Sequence, residues 1–197
     1  PTVLENIINK RVKFKKEIKR RSKKGEDVKV LDSKLYSLKV LANSFYGYLG
    51  FYGARWYSKD SARAITAYAR DYIKKVISDS EKEGFKVIYS DTDSVMIALG
   101  DKTQKQAHNF VDNINKYLPG AMELEFEGFF PKAMFVAGKH SERGAKKKYA
   151  LIDRSKSVKI VGFETVRRNW SKMAKDTQRR FIEHVLKGEI DAGLKYL

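Results

Sequence analysis

Apolar positions recur at helical spacing through the first quarter of the chain. Leu4, Ile7, Ile8, Val12, Phe14 and Ile18 form one amphipathic run, and Leu31, Leu35, Leu38, Ala42, Phe45 and Leu49 form a second. Gly25-Glu26-Asp27 separates them, so the pattern predicts two long helices joined by a tight turn, a helical hairpin. Gly47, Gly50 and Gly53 then interrupt the second helix and give it a glycine-rich exit. Ser58 or Asp60 caps a third predicted helix through Ile77, with Ile65, Tyr68, Ala69, Tyr72 and Val76 inward.

Past Glu83-Gly84 the period changes. Two β-prone runs between Phe85 and Leu99 flank Ser90-Asp91-Thr92-Asp93-Ser94, which predicts a hairpin with carboxylates at its tip. Thr103-Gln104-Lys105-Gln106 has capping-box spacing and opens a helix with Ala107, Phe110, Val111, Ile114, Tyr117 and Leu118 inward, closed by Pro119-Gly120. Met122, Leu124 and Phe126 alternate with Glu123, Glu125 and Glu127, the pattern of a half-buried strand with three acids on its wet face. Further strands are predicted over 129–136 and 146–151, with a polar loop over 138–145 between them and a β-turn-β connection over 153–161. Ser171 caps a helix through Leu186 with Met173, Thr177, Phe181 and Val185 aligned. Helices segregated from antiparallel strands make the fold class α+β.

Charge narrows the partner. The 197 residues hold 41 Lys and Arg against 24 Asp and Glu, a net charge of +17, and such an excess fits a polyanion, nucleic acid first. A membrane surface is the weaker alternative, because no apolar run is long enough to span a bilayer and no signal peptide opens the chain. The absence of cysteine excludes disulfides and zinc–thiolate sites, and His108, His140 and His184 are scattered rather than clustered.

Two groups of residues carry candidate chemistry. Asp91 and Asp93 lie two apart at the hairpin tip with no Lys or Arg inside the turn. A solvated turn is the plain account of Asp-Thr-Asp alone; paired hard oxygens at a strand end also suit Mg²⁺, which takes one or two protein carboxylates beside substrate phosphates. On the second helix Lys39, Asn43 and Tyr46 fall on one face beside the apolar stripe, a cation, an amide and a phenol along one edge. Gly47, next to Tyr46, is either part of the glycine-rich helix exit or a point where a ligand can approach the backbone closely, and both can hold.

Lys39-x-x-x-Asn43-Ser44-x-Tyr46-Gly47 followed by Tyr89-x-Asp91-Thr92-Asp93-Ser94 resembles motifs B and C of the family B DNA polymerases, most of all the archaeal replicative type. The resemblance covers essentially the whole chain. It implies fingers over 1–50, the C-terminal part of the palm with the motif C hairpin over 51–137, and a palm–thumb connection with a partial thumb over 138–197. It implies template-directed nucleotidyl transfer from a dNTP to a primer 3′ end by two-metal catalysis with Mg²⁺, and a primer–template DNA partner. Asp93, Asp91 and Lys39 are then the catalytic candidates, with Asp93 the direct metal ligand and Asp91 a weaker ligand or a shaper of the site. Lys39 with Arg11 and Lys15 contacts the incoming triphosphate, although Arg11 and Lys15 stand one residue further from Lys39 than the family pattern has them. Asn43 and Tyr46 sense the nascent base pair and sugar. Lys146-Lys147-Lys148-Tyr149 resembles the family's Lys-Lys-x-Tyr motif, which makes Lys147, Lys148 and Tyr149 duplex contacts near the growing end, and Arg167 and Arg168 grip duplex phosphates at the entry to the thumb.

One catalytic part of the family is missing. Nothing here matches motif A, an Asp followed by a Ser-Leu-Tyr-Pro-type run, and the exonuclease and N-terminal domains are absent too. Both chain ends read as cuts or processing sites. The expectation is therefore half an active site, in a fragment, a subunit of a split polymerase or a degenerate remnant. It is inactive alone, and its site is completed by a chain carrying exonuclease, N-terminal palm and motif A. A non-catalytic nucleic-acid-binding module is the alternative, but a pure binder has no need for uncompensated acids facing phosphates. A cytoplasmic, nucleoid-associated location follows from the resemblance.

Overall fold

The computed structural model describes residues 2–138 and 141–196. They fall into two compact units, residues 1–125 and 126–197. Both mix helix with small antiparallel sheets, the α+β class expected.

In the first unit α1 (Thr2–Ser22) and α2 (Lys29–Gly50) form the helical hairpin. The Asp27 carboxylate opens α2 by accepting the Lys29 amide at 2.9 Å. α2 continues through Gly47 and ends at Gly50, so Gly47 does not interrupt it and only Gly53 lies beyond the helix. The connection to α3 (Lys59–Lys82) is held by Tyr48, whose hydroxyl accepts the Arg55 amide at 3.1 Å, and by the Ser58 amide on the Leu49 carbonyl at 2.9 Å. Ser58 caps α3 as expected, accepting from the Ser61 amide.

β1 (Lys86–Asp91) pairs antiparallel with β2 (Ser94–Ala98), and α4 (Gln104–Asn115) opens on the predicted capping box of Thr103 and Gln106. Val76, Phe85, Ala107, Phe110 and Ile114 make the core, joined by Val95, Ile97, Leu99, Leu118 and Leu124. This core gathers around the C-terminal half of α3. Ile65 and Tyr68, expected inward, lie beyond its edge, and Tyr68 is 66% exposed.

The strand expected over 122–127 does not form among the described residues. Its backbone finds a side chain instead of a neighbouring strand: Asn115 Nδ2 donates to the Leu124 carbonyl at 3.0 Å, and Asn115 Oδ1 accepts the Leu124 amide at 2.7 Å. A primary amide offers the same donor–acceptor pair as a peptide group, so Asn115 pairs Leu124 as a strand neighbour would.

The second unit is a three-stranded sheet, β3 (Lys132–Gly138), β4 (Ser141–Ile152) and β5 (Val158–Val161), in the order β3-β4-β5. β3 starts after Pro131, which has no amide to give the ladder, rather than at Phe129. Much of the expected polar loop is ladder: Ala137 pairs with Gly144 and Gly138 with Ser141, with register breaks on either side of Ala137. Lys139 and His140 of that loop lie outside the described residues. A short 3-10 turn (Glu164–Val166) leads to α5 (Lys172–Lys187), capped by Ser171 on the Ala174 amide at 3.2 Å, and α6 (Ile190–Leu194) follows.

Ala150, Ile152, Phe163, Ile182 and Leu186 form this unit's core. The inward face of α5 is thus set by Ile182 and Leu186, whereas Met173, expected inward, is 79% exposed. Gln178 explains the rotation, because it turns inward to bond Glu164 and the Thr165 amide.

Candidate catalytic and duplex-binding residues

Asp91 ends β1, Asp93 stands exposed in the turn, and Ser94 opens β2 opposite Asp91. The turn is tighter than an ordinary hairpin connection. The Asp93 amide donates to the Asp91 carbonyl at 2.6 Å across Thr92, whose φ is +52°. A three-residue turn with positive φ at its centre is rare, and a β-branched residue there is strained by about 1–3 kcal/mol. Hydroxyls on each side hold the shape. Thr92 Oγ1 donates to Asp91 Oδ1 at 3.1 Å, Ser94 Oγ to the Asp91 carbonyl at 3.1 Å, and Ser90 Oγ to the Ser94 carbonyl at 3.0 Å. A solvated loop tip has no use for this; strain held by four neighbouring residues is the pattern of a functional site.

Two carboxylates at one tip give Mg²⁺ the hard oxygens it takes, and among the described residues no third His, Cys, Asp or Glu gathers with them. The donor set fits part of a metal site.

Lys39, Asn43 and Tyr46 share one exposed face of α2. Arg11 and Lys15 are half-buried on α1 of the same helical hairpin. Lys15 is engaged, with its ammonium 2.6 Å from Glu125. Glu125, one of the acids expected on a strand's wet face, is therefore the counter-charge of a candidate triphosphate ligand. α3 packs against both α2 and the acid hairpin, so one helix supports both groups of candidates.

Gly47 sits in the last turn of α2, with nothing within 4 Å of a Cβ built upon it. A glycine in a helix interior costs roughly 0.5–1 kcal/mol against alanine. The described chain gains no packing from the missing side chain at this position. Gly47→Ala should stabilise the lone chain by roughly 0.5–1 kcal/mol in urea denaturation.

In the second unit Lys147 and Lys148 differ sharply. Lys147 is exposed with φ +59°, and Gly162, at φ +71°, lies against its backbone so closely that a Cβ would meet the Lys147 carbonyl oxygen at 1.5 Å. Only glycine fits there. Lys148 is half-buried on Glu164. The Tyr149 ring packs on Phe135 across the ladder at 6.0 Å. Arg167 and Arg168 are exposed just past the 3-10 turn.

The model of DNA polymerase family B matches residues 1–196. The chain belongs to DNA polymerase family B. DNA polymerase 1 of Pyrococcus abyssi (strain GE5 / Orsay) is 42% identical over 200 residues, covering 99% of this chain and 25% of the relative. The DNA polymerase of Thermococcus gorgonarius is 41% identical over 201 residues with the same coverage. That of Thermococcus kodakarensis is 43% identical over 166 residues, 81% of this chain and 10% of the relative. The chain thus spans about a quarter of the length of the first two family B relatives. Among the described residues of this family member, no helix is long and apolar enough to cross a membrane.

Sequence reading missed Glu164, Gln178 and Asn115. Glu164 stands 16 residues from Lys148 and meets it only through the fold, as Gln178 meets Glu164. The one available signal was a lone acid directly ahead of the arginine pair in a strongly basic chain.

Proposed function

We propose that this chain supplies the fingers, the motif C half of the palm and the start of the thumb to a DNA-directed DNA polymerase. In that role it adds nucleotides to a primer 3′ end under template direction, and it is active only with a chain or segment carrying motif A. The observation that carries this reading is the strained Asp91-Thr92-Asp93 turn, in the same unit as a helix face of Lys39, Asn43 and Tyr46. Catalysis of phosphoryl transfer is mostly positioning and charge neutralisation, which is what these residues can do. Asp93, with Asp91 beside it, would hold Mg²⁺, and the metal when bound neutralises charge on the reacting phosphates.

Lys39, with Arg11 and Lys15, binds the triphosphate of the incoming nucleotide. Lys15 leaves Glu125 as the phosphates arrive, exchanging one exposed anionic partner for another. Asn43 and Tyr46 line the nascent base pair, and Gly47 lets it lie against bare backbone. Lys147, Arg167 and Arg168 hold the duplex by its phosphates, contacts that position DNA without reading sequence.

Lys39→Ala in the assembled enzyme should raise the nucleotide KM about 10–100-fold, the effect of losing a charge-assisted phosphate contact of about 1.5–3 kcal/mol. Primer–template affinity should change little. Equal losses in both would move Lys39 from the nucleotide to the duplex.

A further inference from the structure

The contact between Lys148 and Glu164 is built more deeply than a surface ion pair. Lys148 Nζ lies 2.7 Å from Glu164 Oε1, and the two side chains are 30% and 16% exposed. The second carboxylate oxygen accepts Gln178 Nε2 at 2.9 Å, and Gln178 Oε1 in turn accepts the Thr165 amide at 2.9 Å. One carboxylate thereby ties β4, the 3-10 turn and α5 together. The bonds from Lys148 and Gln178 hold its carboxyl at about 2, well below the usual carboxylate range. The Thr165 hydroxyl is buried without a partner, so the turn is secured through Gln178 and not by its own side chain. Right behind it the Arg167 amide closes on the Glu164 carbonyl at 3.0 Å, and Arg167 and Arg168 leave from there.

We infer that Glu164 is a positioning residue for the duplex grip, with Lys148 as its strut rather than a phosphate contact. The inference rests on the reading of Lys147, Arg167 and Arg168 as duplex-backbone contacts. On one side of the strut Lys147 is fixed by its left-handed backbone against Gly162; on the other, the arginine pair is fixed by the turn that Glu164 anchors. The carboxylate sets the spacing between these two groups of cations. A lysine already neutralised by a half-buried carboxylate has no counterion to release on DNA and adds nothing to the salt dependence of binding.

The test is primer–template affinity of the assembled polymerase across a salt series, for wild type, Glu164→Gln and the exchange Lys148→Glu/Glu164→Lys. Glu164→Gln should bind roughly tenfold more weakly, a normal size for uncoupling groups in one network. It should do so even though it makes the protein more positive. The exchange rebuilds the pair in reverse and should return to within about twofold of wild type, with the wild-type salt slope. Tighter binding by Glu164→Gln would show that the carboxylate merely repels DNA, and would overturn the inference. So would an exchange that stays weak, loses the fold, or flattens the slope by about 0.9, the mark of a lost phosphate contact. Duplex binding by wild type with no salt dependence would instead remove the functional reading beneath it.

Discussion

Asp93→Asn in the assembled enzyme is expected to abolish nucleotide incorporation while leaving primer–template binding intact or slightly tighter. The substitution keeps the size of the side chain and removes a charged hard-oxygen donor from the exposed tip of the hairpin. Charge stabilisation of several kcal/mol depends on that donor, so incorporation should fall on the order of a thousandfold or more. Duplex affinity should not follow, since one negative charge facing phosphates has been deleted. Asp91→Asn should be milder: Asp91 is half-buried, and its carboxylate accepts the Thr92 hydroxyl and shapes the turn. Single-turnover incorporation and a duplex-binding titration on the same preparations separate the effects. Should Asp91 prove indispensable and Asp93 dispensable, the roles assigned to the two carboxylates would be reversed.

The second large effect expected is that the 197-residue chain by itself extends no primer. Its acid hairpin supplies two carboxylates and, among the described residues, no third acidic or histidine ligand joins them. Mg²⁺ demands near-octahedral oxygen geometry, so a pair of sites lacking the bridging carboxylate of motif A fills poorly. The first unit also exposes Tyr52, Trp56, Ile65 and Tyr68, an uncovered apolar surface that favours a partner or self-association. Primer extension with the lone chain should give no product. Adding a chain that carries exonuclease, N-terminal palm and motif A should give extended primer, with the two co-eluting on gel filtration. Extension by the lone chain, lost in Asp93→Asn, would defeat the half-site argument.

Much of the fold was legible because it is written in local chemistry. Ser58, Thr103 and Ser171 were readable as helix caps, and each accepts the amide three residues on. The hairpin around Asp91 and Asp93 was readable from two β-prone runs and a turn between them. Alternation over 122–127 misled, since alternation reports only which side chains are apolar, and Asn115 met the backbone's needs without a strand. Ile65 and Tyr68 carry a burial pattern, yet no described element of their unit covers them.

The candidate site divides the same way. Lys39, Asn43, Tyr46, Asp91 and Asp93 could be named as candidates because their spacing is local. The strain at Thr92 could not be, because sequence gives residue types and not the φ of +52°. Nor could three consecutive lysines be told apart until Gly162 was seen against Lys147 and Glu164 against Lys148.

Gly47 has a bearing on the history of this gene. A position that lowers the stability of its own chain and packs against nothing in it is exposed to neutral drift, and alanine would be the natural replacement. A sequence released from polymerase duty, kept only for its positive charge, gains by making that exchange. Gly47 lies in the last turn of α2, and a bare backbone there serves a nucleotide-binding role better than it serves a merely basic surface.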